Sequence, residues 1–306
     1  MLTDSIYQEE HVPTQFERFW RSYRNNSLAM FGLWCLLGII LVTLVSPWIT
    51  PHDPQLQTGN LLVPPSWNSE GTVEYFLGTD DLGRDILSRI IEGSRLTFGA
   101  AVIITFVAAL AGCAIGILAG MTKGLLSSTL NHLFDTVMSI PSLLLAIIFV
   151  AFLGFGEFNI LLAICLALIP RFIRTLYTAV HAEVDKDYIM AARLDGANNF
   201  YLLWNSIFPN ILPVIAAELT MALTIAILDI TALGFLGLGA QAPSTEWGAI
   251  LGDSVELIYL APWTVTLPGL VIMFTVVTVN LVGDGVRQAL NAGVEYAVIR
   301  FPSPDY

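Results

Sequence analysis

Residues 28–49 read LAMFGLWCLLGIILVTLVSPWI, 22 positions without one charged side chain. About 20 apolar residues, rising 1.5 Å each in a helix, cross the roughly 30 Å hydrocarbon core of a bilayer. A second run, FGAAVIITFVAALAGCAIGILAGM at 98–121, is 24 residues long and equally free of charge. Around these two runs the whole chain keeps the same character. Of its 306 residues 55% are hydrophobic and 12% charged, against about 25% charged in soluble domains. The chain reads as an all-α polytopic membrane protein.

Six spans are expected, at about 28–49, 98–121, 134–154, 158–179, 211–235 and 263–283. The fourth is crowded at its end by Pro170, Arg171 and Arg174, whose arginines are expected to snorkel to the cytoplasmic interface. With the N-terminus inside, the cytoplasmic basic residues are Arg18, Arg21, Arg24, Lys123, Arg171, Arg174, Lys186, Arg193, Arg287 and Arg300. Arg84, Arg89 and Arg95 fall outside. That asymmetry places both termini in the cytoplasm under the positive-inside rule. Residues 1–27 carry Glu9, Glu10 and Glu17 beside their arginines, and the run that follows is too long for a signal peptide, so it is expected to remain as the first span.

Several function classes are excluded early. Cys35, Cys113 and Cys165 all fall in apolar segments and form no metal or disulfide spacing. His11, His52, His132 and His181 are scattered. A net charge of −12 with only two lysines, Lys123 and Lys186, argues against nucleic acid, which needs clustered cations. It is compatible with a cationic cargo. Neither lysine is followed by Ser or Thr, so the phosphate-cradling G-x-x-x-x-G-K-[ST] loop is absent and the chain has no ATP site of that type. No catalytic constellation is visible.

Residues 50–97 form the largest segment outside the spans, ending in FLGTDDLGRDILSRIIEGSR. Thr79 or Asp80 is expected to cap an interfacial helix there, with Leu82, Ile86 and Ile90 on one face and Asp85 pairing with Arg89. The acids of DDLGRD read as capping groups.

YIMAARLDGANNFYLLWNSIFPNILP at 188–213 interrupts the apolar pattern. Val184, Tyr188, Ala191, Ala192 and Asp195 share a helical face, and Gly196 is placed to end that helix in a left-handed conformation. Asn198 or Asn199 can cap a second helix bearing Phe200, Leu203, Trp204 and Ile207, which Pro209 is expected to break; Pro213 suits the start of span five. The pattern fits a helix that seats in a partner's groove and fits equally an interfacial elbow packed on its own bundle.

The segment resembles the cytoplasmic "EAA" loop of ATP-binding-cassette importer permeases, E-A-A-x3-G-x9-I-x-L-P. Ala191, Ala192, Gly196 and Pro209 stand at their places, while Met190, Ser206 and Phe208 replace the glutamate, isoleucine and leucine. FLGTDDLGRDILSRI (76–90), FLGLGAQAPSTEWGAIL (235–251), NLVGDGVRQALN (280–291) and the PHDP after span one are similar to segments of the dipeptide/oligopeptide-type permeases. LLVPPSW, NHLFDTVMSIPSLLLAII, RLDGA and LGDSVELIYLAPWT resemble the Sap-type branch of that family.

This resemblance implies the six-helix type I importer permease fold in a bacterial inner membrane, with residues 1–97 preceding a permease core at 98–306. It implies a heterodimer with a second homologous permease, two ATP-binding subunits that use ATP and Mg, and a periplasmic peptide-binding protein. The chain itself is expected to bind no cofactor and to catalyse no reaction. The coupling loop, at about 184–210, would meet the ATPase through Ala191, Ala192, Arg193, Asp195, Gly196 and Pro209. Peptides, cationic antimicrobial peptides among them, are the implied cargo, moving inward. Sap-type permeases have also been linked to putrescine export.

Span five carries Glu218 and Asp229, eleven residues and about three turns apart on one face. Carboxylates at membrane depth face a pathway or a partner, so the two acids suit either an amine of the cargo or polar groups of a neighbouring helix. The resemblance assigns Asp229 no role, because relatives carry their second acid one position later, at Ile230. A proton-driven secondary transporter using the same two acids is the reading from a different class; no inverted repeat or matched pair of broken helices supports it.

Overall fold

The computed structural model describes residues 14–122, 136–240 and 243–300. Glu9, Glu10, His11, Lys123 and His132 lie outside them. Among the described residues the regular elements are helices, joined by one isolated bridge between Thr79 and Asp85. Helix α1 is Gln15–Asn25, α2 is Ser27–Ile49 and α3 is Ile86–Ser94. A π turn, Arg95–Gly99, carries α3 into α4, Ala100–Met121. Then come α5 (Ser142–Leu153), α6 (Glu157–Val184), α7 (Asp187–Leu194) and α8 (Asn199–Leu202). A second π turn, Leu203–Ile207, leads into α9 (Phe208–Phe235), followed by α10 (Trp247–Ser254) and α11 (Trp263–Arg300).

Five helical stretches among the described residues are long and apolar enough to cross a bilayer: Ser27–Ile49, Ile86–Met121, Glu157–Val184, Asn199–Phe235 and Trp263–Asn291. The span expected at 134–154 is helical only from Ser142 to Leu153 in its later part. Pro141 fixes the extended backbone before Ser142, and Gly154, at φ 86°, ends the helix. Twelve residues rise about 18 Å, short of the hydrocarbon core. Its opening residues, 134–135, lie outside the described set.

Helix α6 departs from expectation at its other end. The helix runs past the expected end at about 179 to Val184, with Pro170, Arg171 and Arg174 in its interior. Proline is tolerated inside a spanning helix because neighbouring groups satisfy the backbone it frees. Arg171 donates to Glu218 of α9, and Arg174 to Thr178 one turn on. Among the described residues, Arg18, Arg21, Arg24, Lys186 and Arg193, all expected on the cytoplasmic side, lie outside the five span-length stretches.

The core is built where small residues let helices touch. Gly112, Gly116 and Gly120 of α4 form a G-x-x-x-G-x-x-x-G stripe against Phe172, Ile173, Leu176 and Val180 of α6. A Cβ at Gly116 would stand 2.7 Å from the Ile173 carbonyl oxygen, and one at Gly112 only 2.4 Å from the Phe172 Cβ. Without a hydrophobic drive between helices in lipid, such close approach is a main source of association. Around this seam Ile164, Leu168, Leu176, Val180, Ile211 and Ile227 are fully buried.

At one end of the bundle, α1 is folded back on α11. Thr14 and Glu17 form a capping box at its start. Tyr23 is buried with Ala29 and Ala289, its hydroxyl donating to the Ala29 carbonyl at 3.1 Å, and Asn26 donates to Gln288 at 3.0 Å. Helix α1 therefore lies at the same end of the bundle as Gln288 and Ala289 of α11. The α7–α8 projection is reached through the ends of α6 and α9.

Candidate functional site

Helix α7 ends in a complete Schellman motif. The Ala197 amide donates to the Ala192 carbonyl at 3.0 Å, and the Gly196 amide to the Arg193 carbonyl at 3.1 Å. That pairing needs a left-handed residue at 196, and Gly196 has φ 91°. Asn198 then caps α8 by accepting from the Tyr201 amide at 2.7 Å. A side chain at Gly196 would meet open space, so the requirement there is conformational.

Ala191, Arg193, Asp195 and Gly196 are exposed, Ala192 is half-buried, and Leu194 is 85% exposed at the tip. Met190, Phe200, Tyr201 and Trp204 are exposed beside it. The buried side consists of Ile189, Leu202 and Ile207, with Ala192, Ala197 and Leu203 packed against it. This differs from the face expected from periodicity: Phe200 and Trp204 turn outward, because the π turn 203–207 resets the angular register partway along. Pro209 does not break the helix either. The Phe208 amide bonds the Leu203 carbonyl five residues back, and Pro209, which has no amide hydrogen, follows in the first turn of α9.

A polar cluster fastens this projection to both adjoining spans. Glu183, buried at the end of α6, accepts from the Tyr188 hydroxyl of α7 and pairs with Lys186 Nζ at 2.6 Å. Asn210 of α9 donates from Nδ2 to the same Tyr188 hydroxyl at 2.9 Å and to the Ser206 carbonyl at 2.8 Å. Burial, reinforced by the Glu183 carboxylate, pushes the Tyr188 phenol well above its ordinary pKa. Motif reading missed this cluster. Its signal was Tyr188 five residues after an acid at the end of a span, a spacing that becomes a contact only once the turn at 185–186 is formed.

The two acids of α9 have different surroundings. Glu218 is buried, and both its oxygens are engaged: Oε1 by Arg171 Nε and Oε2 by the Thr175 hydroxyl at 3.1 Å. It pairs with a neighbouring span. Asp229, 6% exposed, is bonded to the Ser142 side chain at the start of α5, while its Oδ2 is buried with no hydrogen-bond partner. The structure thus separates two carboxylates that periodicity had grouped.

At the opposite end of the bundle, the 76–90 stretch folds around Asp80. Its Oδ2 accepts from Arg84 Nε at 2.6 Å and from Arg89 Nη1 at 2.7 Å, and all three side chains are buried. The helix starts later than expected, at Ile86, with Asp85 as its cap: Asp85 accepts from the Ser88 amide at 3.0 Å and lies 3.4 Å from His52 Nδ1. Asp85 therefore does not pair with Arg89. The cap occupies Asp85, which leaves Arg89 to the loop acid nine residues before it.

Glu246, also buried, caps α10 through the Gly248 and Ala249 amides and accepts from Thr97 at 3.1 Å. Burial raises its pKa despite those three donors. Among the described residues no group of three or more His, Cys, Asp or Glu is placed to hold a metal ion.

This architecture has known relatives. Residues 112–296 match the family described as "Binding-protein-dependent transport system inner membrane component", and residues 14–65 match the "N-terminal TM domain of oligopeptide transport permease C". The chain is 52% identical to the peptide transport system permease protein SapC of Salmonella typhimurium over 96% of this chain and 100% of that one. It is 42% identical to SapC of Haemophilus influenzae, over 91% and 95%, and 39% identical to the dipeptide transport system permease protein DppC of Escherichia coli, over 95% and 97%. Among solved structures, the methionine ABC transporter MetNI in an inward-facing conformation aligns with a TM-score of 0.51 at 18% identity, over 63% of this chain and 93% of that one. That likeness concerns the fold alone. The chain belongs to the binding-protein-dependent transport system inner membrane component family, as a multi-pass permease subunit of the Sap and Dpp type.

Proposed function

We propose that this chain is the permease subunit of an ATP-driven importer of peptides, cationic antimicrobial peptides among them. It works beside a second homologous permease, in a six-span arrangement with both termini in the cytoplasm. Two ATPase subunits power the pair, using ATP and Mg, and a periplasmic binding protein delivers the cargo. The observation that carries the reading is the projection at 187–198. It is an exposed tip of Ala191, Arg193, Leu194 and Asp195 around the half-buried Ala192, made rigid by the Schellman turn and tied to α6 and α9 through Tyr188.

Such a tip can transmit force. When the ATPase pair closes, the groove holding the tip moves, and the Tyr188 cluster carries that displacement into both spans at once. The spans then rock as bodies to expose the pathway on the other face. The energy comes from contacts that differ between the two states.

One observation favours a second cargo. The buried, unpartnered Oδ2 of Asp229 is a natural acceptor for an amine, and a diamine such as putrescine suits it as well as a peptide does. ATP-dependent accumulation by inside-out vesicles bearing the complete complex, with an ATPase-dead partner as control, separates the two. Putrescine accumulation supports polyamine export and makes Asp229 the next residue to neutralise. No accumulation, with ATPase activity stimulated by a cationic peptide and binding protein, supports peptide import.

A further inference from the structure

The Asp80 cluster holds its two arginines unequally. Asp80 binds both at 2.6–2.7 Å, whereas Asp253 Oδ2 stands 3.5 Å from Arg84 Nη2 and 3.5 Å from Arg89 Nη2. Asp80 is fully enclosed, while the Asp253 side chain is 40% exposed. Charge-assisted hydrogen bonds close to about 2.7–2.9 Å when geometry allows. Asp253 is tethered at the end of α10 and does not reach that distance. Arg89 has donor capacity left over: its Nη2 donates to the Ser244 carbonyl at 2.9 Å, and its buried Nε has no partner.

Ser244 and Asp253 both border a recess of about 380 Å³, which opens between Gly234–Gly237 at the end of α9 and Ala249–Asp253 of α10. Asp80 alone leaves the two guanidinium groups with one uncompensated positive charge. Asp253 balances that charge from the solvent side, at long range.

We propose that Arg84 and Arg89, buried behind the Ser244 and Asp253 wall of this recess, form a carboxylate subsite with Asp253 as its displaceable counter-ion, and that it receives the terminal carboxylate of a peptide. This rests on the peptide reading above. A free carboxylate carries the same charge as Asp253 and the forked shape a guanidinium prefers. Being untethered, it closes to full hydrogen-bond distance. Exchange leaves the cluster's net charge unchanged, so Asp80 and the fold around it stay in place while the Asp253 side chain swings out.

The test compares one short peptide as free acid and as C-terminal amide, using the reconstituted complex with its binding protein, for wild type and Asp253→Asn. Removing the competing anion is expected to lower the half-saturating concentration of the free acid about fivefold, the size of a partly exposed ion pair, and to leave that of the amide unchanged. Taking the acid-to-amide ratio in the variant over that in wild type cancels any preference of the binding protein. Equal shifts for both peptides, or no shift, in a complex that transports both would overturn the subsite and leave peptide transport standing. Transport of neither peptide by wild type would overturn the peptide reading, and the subsite with it.

Discussion

Asn210, in the first turn of α9, donates its side-chain amide to the hydroxyl of Tyr188 on α7 at 2.9 Å, and Tyr188 donates in turn to Glu183 of α6. One phenol thus joins three helices. Replacing it with Phe keeps the ring and removes the link. Tyr188→Phe is expected to retain ATPase activity within about twofold while transport per ATP falls roughly tenfold, since a hydrogen bond to a charged group contributes about 1.5–3 kcal/mol. Parallel ATPase and uptake assays on one preparation check this; an unchanged ratio removes Tyr188 from the linkage.

The same phenol fixes a pH dependence. Burial and the Glu183 bond raise its pKa above the ordinary value of about 10. The folded phenol therefore stays protonated where the unfolded one begins to ionise, so its contribution to stability is present below about pH 10 and lost as pH rises further. Transport per ATP is expected to be flat from about pH 6 to 9. A fall in that interval that disappears in Tyr188→Phe would show the phenol ionising early.

Gly196 and Ala192 test the tip itself. Gly196→Val forces a β-branched residue to φ 91°, at a cost of at least about 1–2 kcal/mol that is relieved by unwinding the Schellman turn. Ala192→Arg adds bulk to a half-buried, close-packed position. Both variants are expected to insert into the membrane at normal levels and to uncouple transport from ATP hydrolysis. Membrane fractionation and uptake measured together check this; wild-type transport in both would move the coupling site elsewhere.

Glu218 is expected to behave as a structural partner. Glu218→Gln leaves the Arg171 guanidinium without its counter-charge. The loss is about 1–3 kcal/mol, below that of a fully buried pair, because Arg171 is 30% exposed. The double variant Arg171→Gln with Glu218→Gln is expected to recover most of the lost thermal stability and to transport normally. If the double variant is stable and loses cargo binding, Glu218 contacts cargo.

The long uncharged runs made most spans legible, because the bilayer imposes one length and one composition on any segment that crosses it. Gly196 was legible too, since a glycine after an amphipathic turn and before Asn198 has one conformational use there. Side-chain partners were not. Arg171 and Glu218 are 47 residues apart, and nothing local in the chain says that α6 meets α9 at that level. Asp80 took Arg89 because Asp85 was engaged as a cap, a competition that spacing alone does not resolve. Pro209 was expected to break its helix, but the π turn before it puts the proline in the first turn of α9, where its missing amide costs nothing. The glycine stripe at 112, 116 and 120 was present in the chain as a repeat of four, and its meaning depended on recognising α4 as a span with a close neighbour.

The most direct test of the central claim is cross-linking from the tip. With native cysteines replaced, Leu194→Cys is treated with a short bismaleimide in the intact complex, alongside Phe158→Cys at the far end of α6 as control. The expected result is a cross-link from position 194 to the ATPase subunit whose yield changes when nucleotide closes the ATPase pair, and no such cross-link from position 158. An intact, ATP-hydrolysing complex in which position 194 never reaches the ATPase, or is labelled from the periplasmic side, would contradict the assignment of 187–198 as the coupling element.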